Sequence, residues 1–162
     1  LRRRCKSTIR CRSPFEDQTN KVIFLNNHHV EFTTAIYGVI DQANRKVTYA
    51  CAGHHPPILV KPGEEPRIMP NHGFPLGVEI DLPDLIREHE FSYEPGTLLV
   101  LYTDGLIEHS HDLQDGEERL LRATRDAVAT KARNPARAIV DEVLRVESQH
   151  PDDVAVLTIF FE

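Results

Sequence analysis

Two stretches of this chain are apolar enough to sit in the middle of a β-sheet, and each carries acid at one end. Leu98 to Tyr102 reads Leu-Leu-Val-Leu-Tyr and delivers Thr103-Asp104-Gly105 onto a turn. Val154 to Phe161 is entered through Asp152-Asp153. If both strands share one sheet with these ends at the same rim, their carboxylates converge, and a hard divalent cation would offset the repulsion. An Asp-Gly pair after a strand is also an ordinary turn, and Asp152-Asp153 after Pro151 is also an ordinary strand start. Spacing alone leaves the metal site and the solvated turn both open.

The surrounding periodicities say what such a sheet is built into. Ser13-Pro14 followed by Glu16 has the form of an N-cap, a first-turn proline and a capping box, which predicts a helix to about His28 burying Phe15, Val22, Ile23 and Leu25. Phe32 to Ile40 alternates with apolar residues on both faces, as in a central strand, and Val47 to Ala52 alternates again after the polar Asp41 to Lys46, predicting an antiparallel hairpin. Gly53-His54-His55-Pro56-Pro57 interrupts the pattern before Ile58-Leu59-Val60, and Pro62-Gly63 and Glu94-Pro95-Gly96 are further turns. After Gly116 the apolar period changes from two to 3.6. Leu120, Leu121, Ala127 and Val128 suit one helix, and Ile139, Val140, Val143 and Leu144 another that starts at the Asn134-Pro135 cap. The order of helix, strands, two helices and a final strand predicts α+β layers rather than a doubly wound parallel sheet.

Composition narrows the function classes. At 162 residues with 40% hydrophobic and 27% charged, the chain suits one globular domain. No apolar run approaches the roughly 20 residues that span a bilayer, and the start lacks the apolar core of a signal peptide, so a soluble protein with no membrane partner is expected. Three cysteines, Cys5, Cys11 and Cys51, with no Cys-x-x-Cys pair, argue against a disulfide framework or a zinc site and point to the reducing cytosol. A net charge of -6 argues against a nucleic-acid partner for the whole chain. Arg2, Arg3, Arg4, Lys6, Arg10 and Arg12 would make a basic arm. Leu1, Cys5 and Ile9 at helical spacing make the solvated face of an amphipathic helix the preferred reading.

The histidines offer competing ligands. His28-His29, His54-His55, His109 and His111 include candidates for zinc or iron, but none has the helical spacing or flanking ligands that would make a site specific, so most are expected in turns or at the surface. No nucleophile elbow, Walker loop or dinucleotide fingerprint occurs, and Cys51, between alternating apolar residues, is expected in the core.

Five segments in order carry a resemblance. They are Phe32-Thr33-Thr34-Ala35-Ile36-Tyr37-Gly38-Val39-Ile40-Asp41, Tyr49-Ala50-Cys51-Ala52-Gly53-His54-His55-Pro56-Pro57, Gly73-Phe74-Pro75-Leu76-Gly77-Val78, Leu101-Tyr102-Thr103-Asp104-Gly105-Leu106-Ile107-Glu108 and Asp152-Asp153-Val154-Ala155-Val156-Leu157. Together they resemble the bacterial SpoIIE and RsbU branch of the metal-dependent protein serine/threonine phosphatases, the PPM family, over nearly the whole chain from about Ser13. The resemblance implies two antiparallel β-sheets packed as a sandwich flanked by helices, with a pair of manganese or magnesium ions at one end. It implies Asp104 and Asp152 as metal ligands, with Asp153 taking the role if the register slips by one. Gly105 would permit the turn that presents Asp104, and Gly53 and His54 would shape a loop. The implied reaction is direct attack of metal-activated water on a phosphoserine or phosphothreonine.

The resemblance also implies an earlier Asp-containing, Gly-rich motif on strands before the first helix, and this sequence begins after that point. Residues 1–162 are therefore expected to form the C-terminal portion of a single phosphatase domain lacking its first strands and first metal motif. An uncovered sheet edge would follow, with self-association or strand exchange as its consequence. Ala155, where many relatives carry Thr, is a smaller departure. The expected partner is a phosphorylated anti-anti-sigma-type protein in a partner-switching stress pathway. The alternative is a catalytically inactive phosphatase-like module that binds a signalling partner.

Overall fold

A computed structural model describes residues 14–26, 32–78, 87–108, 113–146 and 153–162. Helix α1 (Pro14–Asn26) precedes six strands, β1 (Ala35–Asp41), β2 (Lys46–Ala52), β3 (Ile58–Val60), β4 (Arg67–Ile68), β5 (Glu88–Ser92) and β6 (Leu98–Tyr102). Helices α2 (Leu113–Ala129) and α3 (Pro135–Val143) follow, and β7 (Val156–Phe160) closes the chain. The strands make two antiparallel sheets, one ordered β1-β2-β5 and the other β4-β3-β6-β7. No helix among the described residues is long and apolar enough to cross a membrane.

Alternation along β6 explains the layering. Leu98, Val100 and Tyr102 join Ile58 and Val60 of β3 against Leu120, Ala123 and Ala127 of α2 and Ile139 and Val143 of α3. Leu99 points the other way and meets Leu59, Val47, Tyr49, Cys51 and Phe91 between the two sheets. A strand with both faces covered must be apolar at every position, which is what Leu98 to Tyr102 supplies. At about 1.5–3 kcal/mol per fully buried aliphatic side chain, β6 contributes to both sides of the core. Cys51 is a buried free thiol, as its flanking alternation predicts.

The two C-terminal helices form for the expected reasons, with one difference. The Asn134 side chain accepts from the Arg137 backbone N–H at 3.1 Å and Pro135 opens α3, so the predicted cap is present. Helix α2, however, begins at Leu113 and carries Gly116 inside it. A Cβ there would lie 2.6 Å from the carbonyl oxygen of Ile107. The residue that marked a change of period is the contact through which α2 lies on the turn after β6.

Three expectations are corrected at the periphery. Strand β1 pairs with β2 in the predicted hairpin, but among the described residues no strand covers its outer edge, and Tyr37, Val39 and Ile40 are exposed rather than half-buried. Strand β7 is likewise an edge, with Leu157 and Phe160 exposed, where mid-sheet burial was predicted. On α1, Val22 and Leu25 are exposed instead of buried. In each case the apolar pattern is real but is only partly buried: Ile36 of β1 and Ile159 of β7 pack between the sheets and Val156 packs on the helical cluster, while the side chains named above stay exposed. Strand β5 was not predicted, because Glu88-His89-Glu90-Phe91-Ser92 offers a single strongly apolar residue, Phe91, to the space between the sheets.

Candidate functional site

Pairing of β6 with β7 brings together the two acid-bearing strand ends. Tyr102 is opposite Val156 in an antiparallel ladder, so the last residue of β6 and the first of β7 share one rim. Beyond the ladder, the Thr103 backbone N–H donates to the Ala155 carbonyl at 3.0 Å. The Thr103 hydroxyl donates to the Asp153 carbonyl at 3.0 Å and accepts from the Ala155 N–H at 2.8 Å. Thr103 thus holds the chain just before Asp104 against the chain just after Asp152.

Asp104 opens a short 3₁₀ turn, Asp104–Leu106, whose Gly105 and Leu106 are buried. Its Oδ1 accepts from the Gly105 N–H at 2.9 Å, while its carbonyl accepts from Ile107 N–H at 2.8 Å and Glu108 N–H at 3.0 Å. Wrapping the backbone back onto Asp104 sets Glu108 on the same side as Asp104, both exposed to solvent. Two carboxylates so placed repel one another unless a cation or proton intervenes.

A third ligand type arrives from the loop after β2. His55 offers a ring nitrogen that, with one carboxylate oxygen each from Asp104 and Glu108, falls in a group whose atoms all lie within 4.8 Å of one another. The half-buried imidazole stacks on the ring of Tyr102, with centroids 5.7 Å apart and planes 26° from parallel. Burial, with a smaller contribution from Glu117, pushes the Tyr102 phenol well above its ordinary pKa, so the ring under His55 stays neutral. The loop is anchored on both sides. Asn71 donates to the His54 carbonyl at 2.6 Å, and the His54 Nδ1 bonds the His55 carbonyl at 3.0 Å. Gly53 sits at φ +67°, and a Cβ there would lie 2.5 Å from Cγ of Pro75. Carboxylate oxygens with one imidazole form a donor set that suits a divalent cation.

Of the residues singled out from the sequence, Asp104 and Gly105 stand at this rim, and Asp153 is tied to it through Thr103. Asp152 lies outside the described residues, as do the Ser13 cap, the basic residues 1–12, and His28, His29, His109 and His111. Sequence reasoning did not place Glu108 or His55 with Asp104. Glu108 follows Asp104 by four residues, a spacing that a tight turn can bring round. His55 is 49 positions away, and nothing local announces their meeting.

The profile of the SpoIIE family, described as Stage II sporulation protein E, matches residues 14–162. The chain belongs to the SpoIIE family. No curated protein sequence matches it. Among solved structures, the RsbU and RsbW domains of a Mycobacterium tuberculosis protein share 22% identity at a TM-score of 0.72, covering 88% of this chain and 38% of that one. The phosphatase domain of the Bacillus subtilis cell fate determinant SpoIIE, presoaked with manganese, shares 16% at 0.65, covering 91% and 65%. RsbX in complex with magnesium shares 19% at 0.59, covering 88% and 60%. This SpoIIE-family chain has the same sandwich fold as these structures and spans between 38% and 65% of their length.

Proposed function

We propose that this chain is a metal-dependent serine/threonine phosphatase domain that hydrolyses a phosphoserine or phosphothreonine on a regulatory protein. The observation that carries this reading is the placement of Asp104 at an open rim, next to Thr103, whose hydroxyl is bonded to Asp153 and Ala155 just ahead of β7. The reading assigns Asp104, Gly105, Asp152 and Asp153 to the metal site, with manganese or magnesium as the resident ions. Names of the similar structures support it, one a phosphatase domain presoaked with manganese and another a magnesium complex.

Divalent cations bound there would supply water of lowered pKa and neutralise phosphate oxygens. The chain's own residues do the positioning. The Gly105 N–H orients the Asp104 carboxylate, and the buried turn behind it fixes the backbone. Asp104 and Glu108 are exposed at this rim, so a phosphate carried on another folded protein can reach it without a channel.

The RsbU and RsbW domains in the first similar structure support a partner-switching substrate. We therefore take the substrate to be a phosphorylated anti-anti-sigma-type protein in a stress pathway, and the compartment to be the cytoplasm, which suits the free thiol of Cys51. Nucleic acid and membrane are not part of this proposal. Self-association or strand exchange at the outer edges of β1 and β7 is part of it. The test is hydrolysis of an aryl phosphate and of a phosphoserine protein with and without manganese, beside Asp104→Asn. Metal-dependent turnover that falls at least about 100-fold in the variant is the expected result, on the scale of losing one group that stabilises the transition state. Absence of turnover in folded, metal-loaded protein would instead support the inactive partner-binding module.

A further inference from the structure

We propose that His55 is a nitrogen ligand of the cation held at Asp104, so that His55, Asp104 and Glu108 form a mixed imidazole and carboxylate site. Such a site selects Co2+ or Zn2+ over Mg2+. The inference rests on the reading above that a cation binds at Asp104, and it assigns to that cation a ligand that the motif resemblance does not supply.

Three observations converge on it. The first is distance. Ligand atoms on one ion with bonds of about 2.1 Å lie about 3.0–3.4 Å apart when adjacent and about 4.2 Å when opposite, so a group already within 4.8 Å closes on a cation by side-chain rotation without moving the backbone. The second is posture. Stacking on the buried Tyr102 ring limits how far the imidazole can swing, and Tyr102 is the residue of β6 two before Asp104. One strand therefore places both the carboxylate and the surface that orients the imidazole. The third is the fixed loop, since Gly53 against Pro75 and Asn71 on the His54 carbonyl hold the backbone that carries His55. A ligand whose backbone and ring are both set in advance loses little freedom on binding.

The chemistry of the donor set gives the selectivity. Mg2+ prefers oxygen ligands and keeps several of its waters, so an imidazole adds little to its binding. Affinity of nitrogen-containing sites rises from Mn2+ through Co2+ and is high for Zn2+. His55 should thus favour the later metals. A bland alternative exists, in which His55 is only a hydrogen-bonding neighbour of two solvated acids. The two predict different metal binding.

The decisive experiment is calorimetric titration of the metal-free 162-residue chain with Co2+, Zn2+ and Mg2+, read beside the Co2+ visible spectrum, for the native chain, His55→Asn and Asp104→Asn. Asparagine keeps a polar, uncharged side chain on the loop. The expected result is a loss of at least about tenfold in Co2+ and Zn2+ affinity for His55→Asn with an altered Co2+ spectrum, while Mg2+ affinity moves less than about threefold. Asp104→Asn should abolish binding of all three. Unchanged Co2+ affinity and spectrum in His55→Asn, with binding lost in Asp104→Asn, would overturn the assignment of His55 and leave the phosphatase reading standing. Unchanged metal binding in Asp104→Asn, or none in the native chain, would overturn both. Should His55→Asn fail to fold, Zn2+ titration of the ¹⁵N-labelled native chain decides the matter. The His55 ring nitrogens should shift while those of His72 and His89 stay in place, and an unmoved His55 overturns the proposal.

Discussion

The helix-covered core and the two edge strands, β1 and β7, use the same kinds of residue to opposite effect. Against α2 and α3, Leu106, Leu120 and Ile139 are each 0% exposed. Along β1 and β7, Val39 is 50%, Leu157 56% and Phe160 60% exposed. Apolar character and period are similar in both regions, so the difference lies in what stands opposite. Burial is a property of paired elements, and a strand apolar enough for the core stays at the surface when no described neighbour faces it. The candidate site sits where the two regions join, since β6 is covered on both faces, whereas β7 is covered only at Val156 and Ile159 and leaves Leu157 and Phe160 exposed.

This contrast can be broken by mutation. Ile139→Ala should cost about 2–5 kcal/mol, because α3 and the sheet beneath it cannot collapse fully into the space left. Urea denaturation followed by circular dichroism measures it, and a loss below about 1 kcal/mol would mean that the helical layer is looser than its packing. Gly73→Ala tests the border of the two regions, since a Cβ at Gly73 would collide with the carbonyl of Cys51 in β2. A destabilisation of about 1–3 kcal/mol is expected from this overpacking, read from the same denaturation midpoint. Smallest in stability is Leu157→Ser on β7, expected within about 0.5 kcal/mol of the native chain in dilute solution. Its effect should appear in sedimentation velocity as weaker self-association. A large loss of monomer stability would show that Leu157 already has a partner within the chain.

Legibility in the sequence follows the same division. The β1-β2 hairpin, the strand at β6, the Asn134 cap and the core position of Cys51 are local patterns, and the structure contains each. The shared rim of Asp104 and the chain around Asp153 follows from antiparallel pairing of two strands that could be identified singly. Edge positions of β1 and β7 were not legible, because alternation records what a strand could bury and carries no information on which neighbours are present. Strand β5 was missed for the converse reason, as Phe91 alone gives no period. His55 was seen only as one histidine among several. Its meeting with Asp104 and Glu108 depends on how the loop after β2 is laid across the end of β6, which Gly53, Pro75 and Asn71 determine from distant parts of the chain.

Thr103 gives the rim a mechanical character. One hydroxyl receives from the Ala155 N–H and gives to the Asp153 carbonyl, so it works as a clasp between the chain leading to Asp104 and the chain leaving Asp152. A slip of β7 by one residue would unfasten it and turn every β7 side chain to the opposite face. The position of Asp104 relative to Asp153 is therefore geared to the alignment of a strand whose outer edge meets no other strand among the described residues. Whatever grips that outer side has a handle on the chemistry several ångströms away.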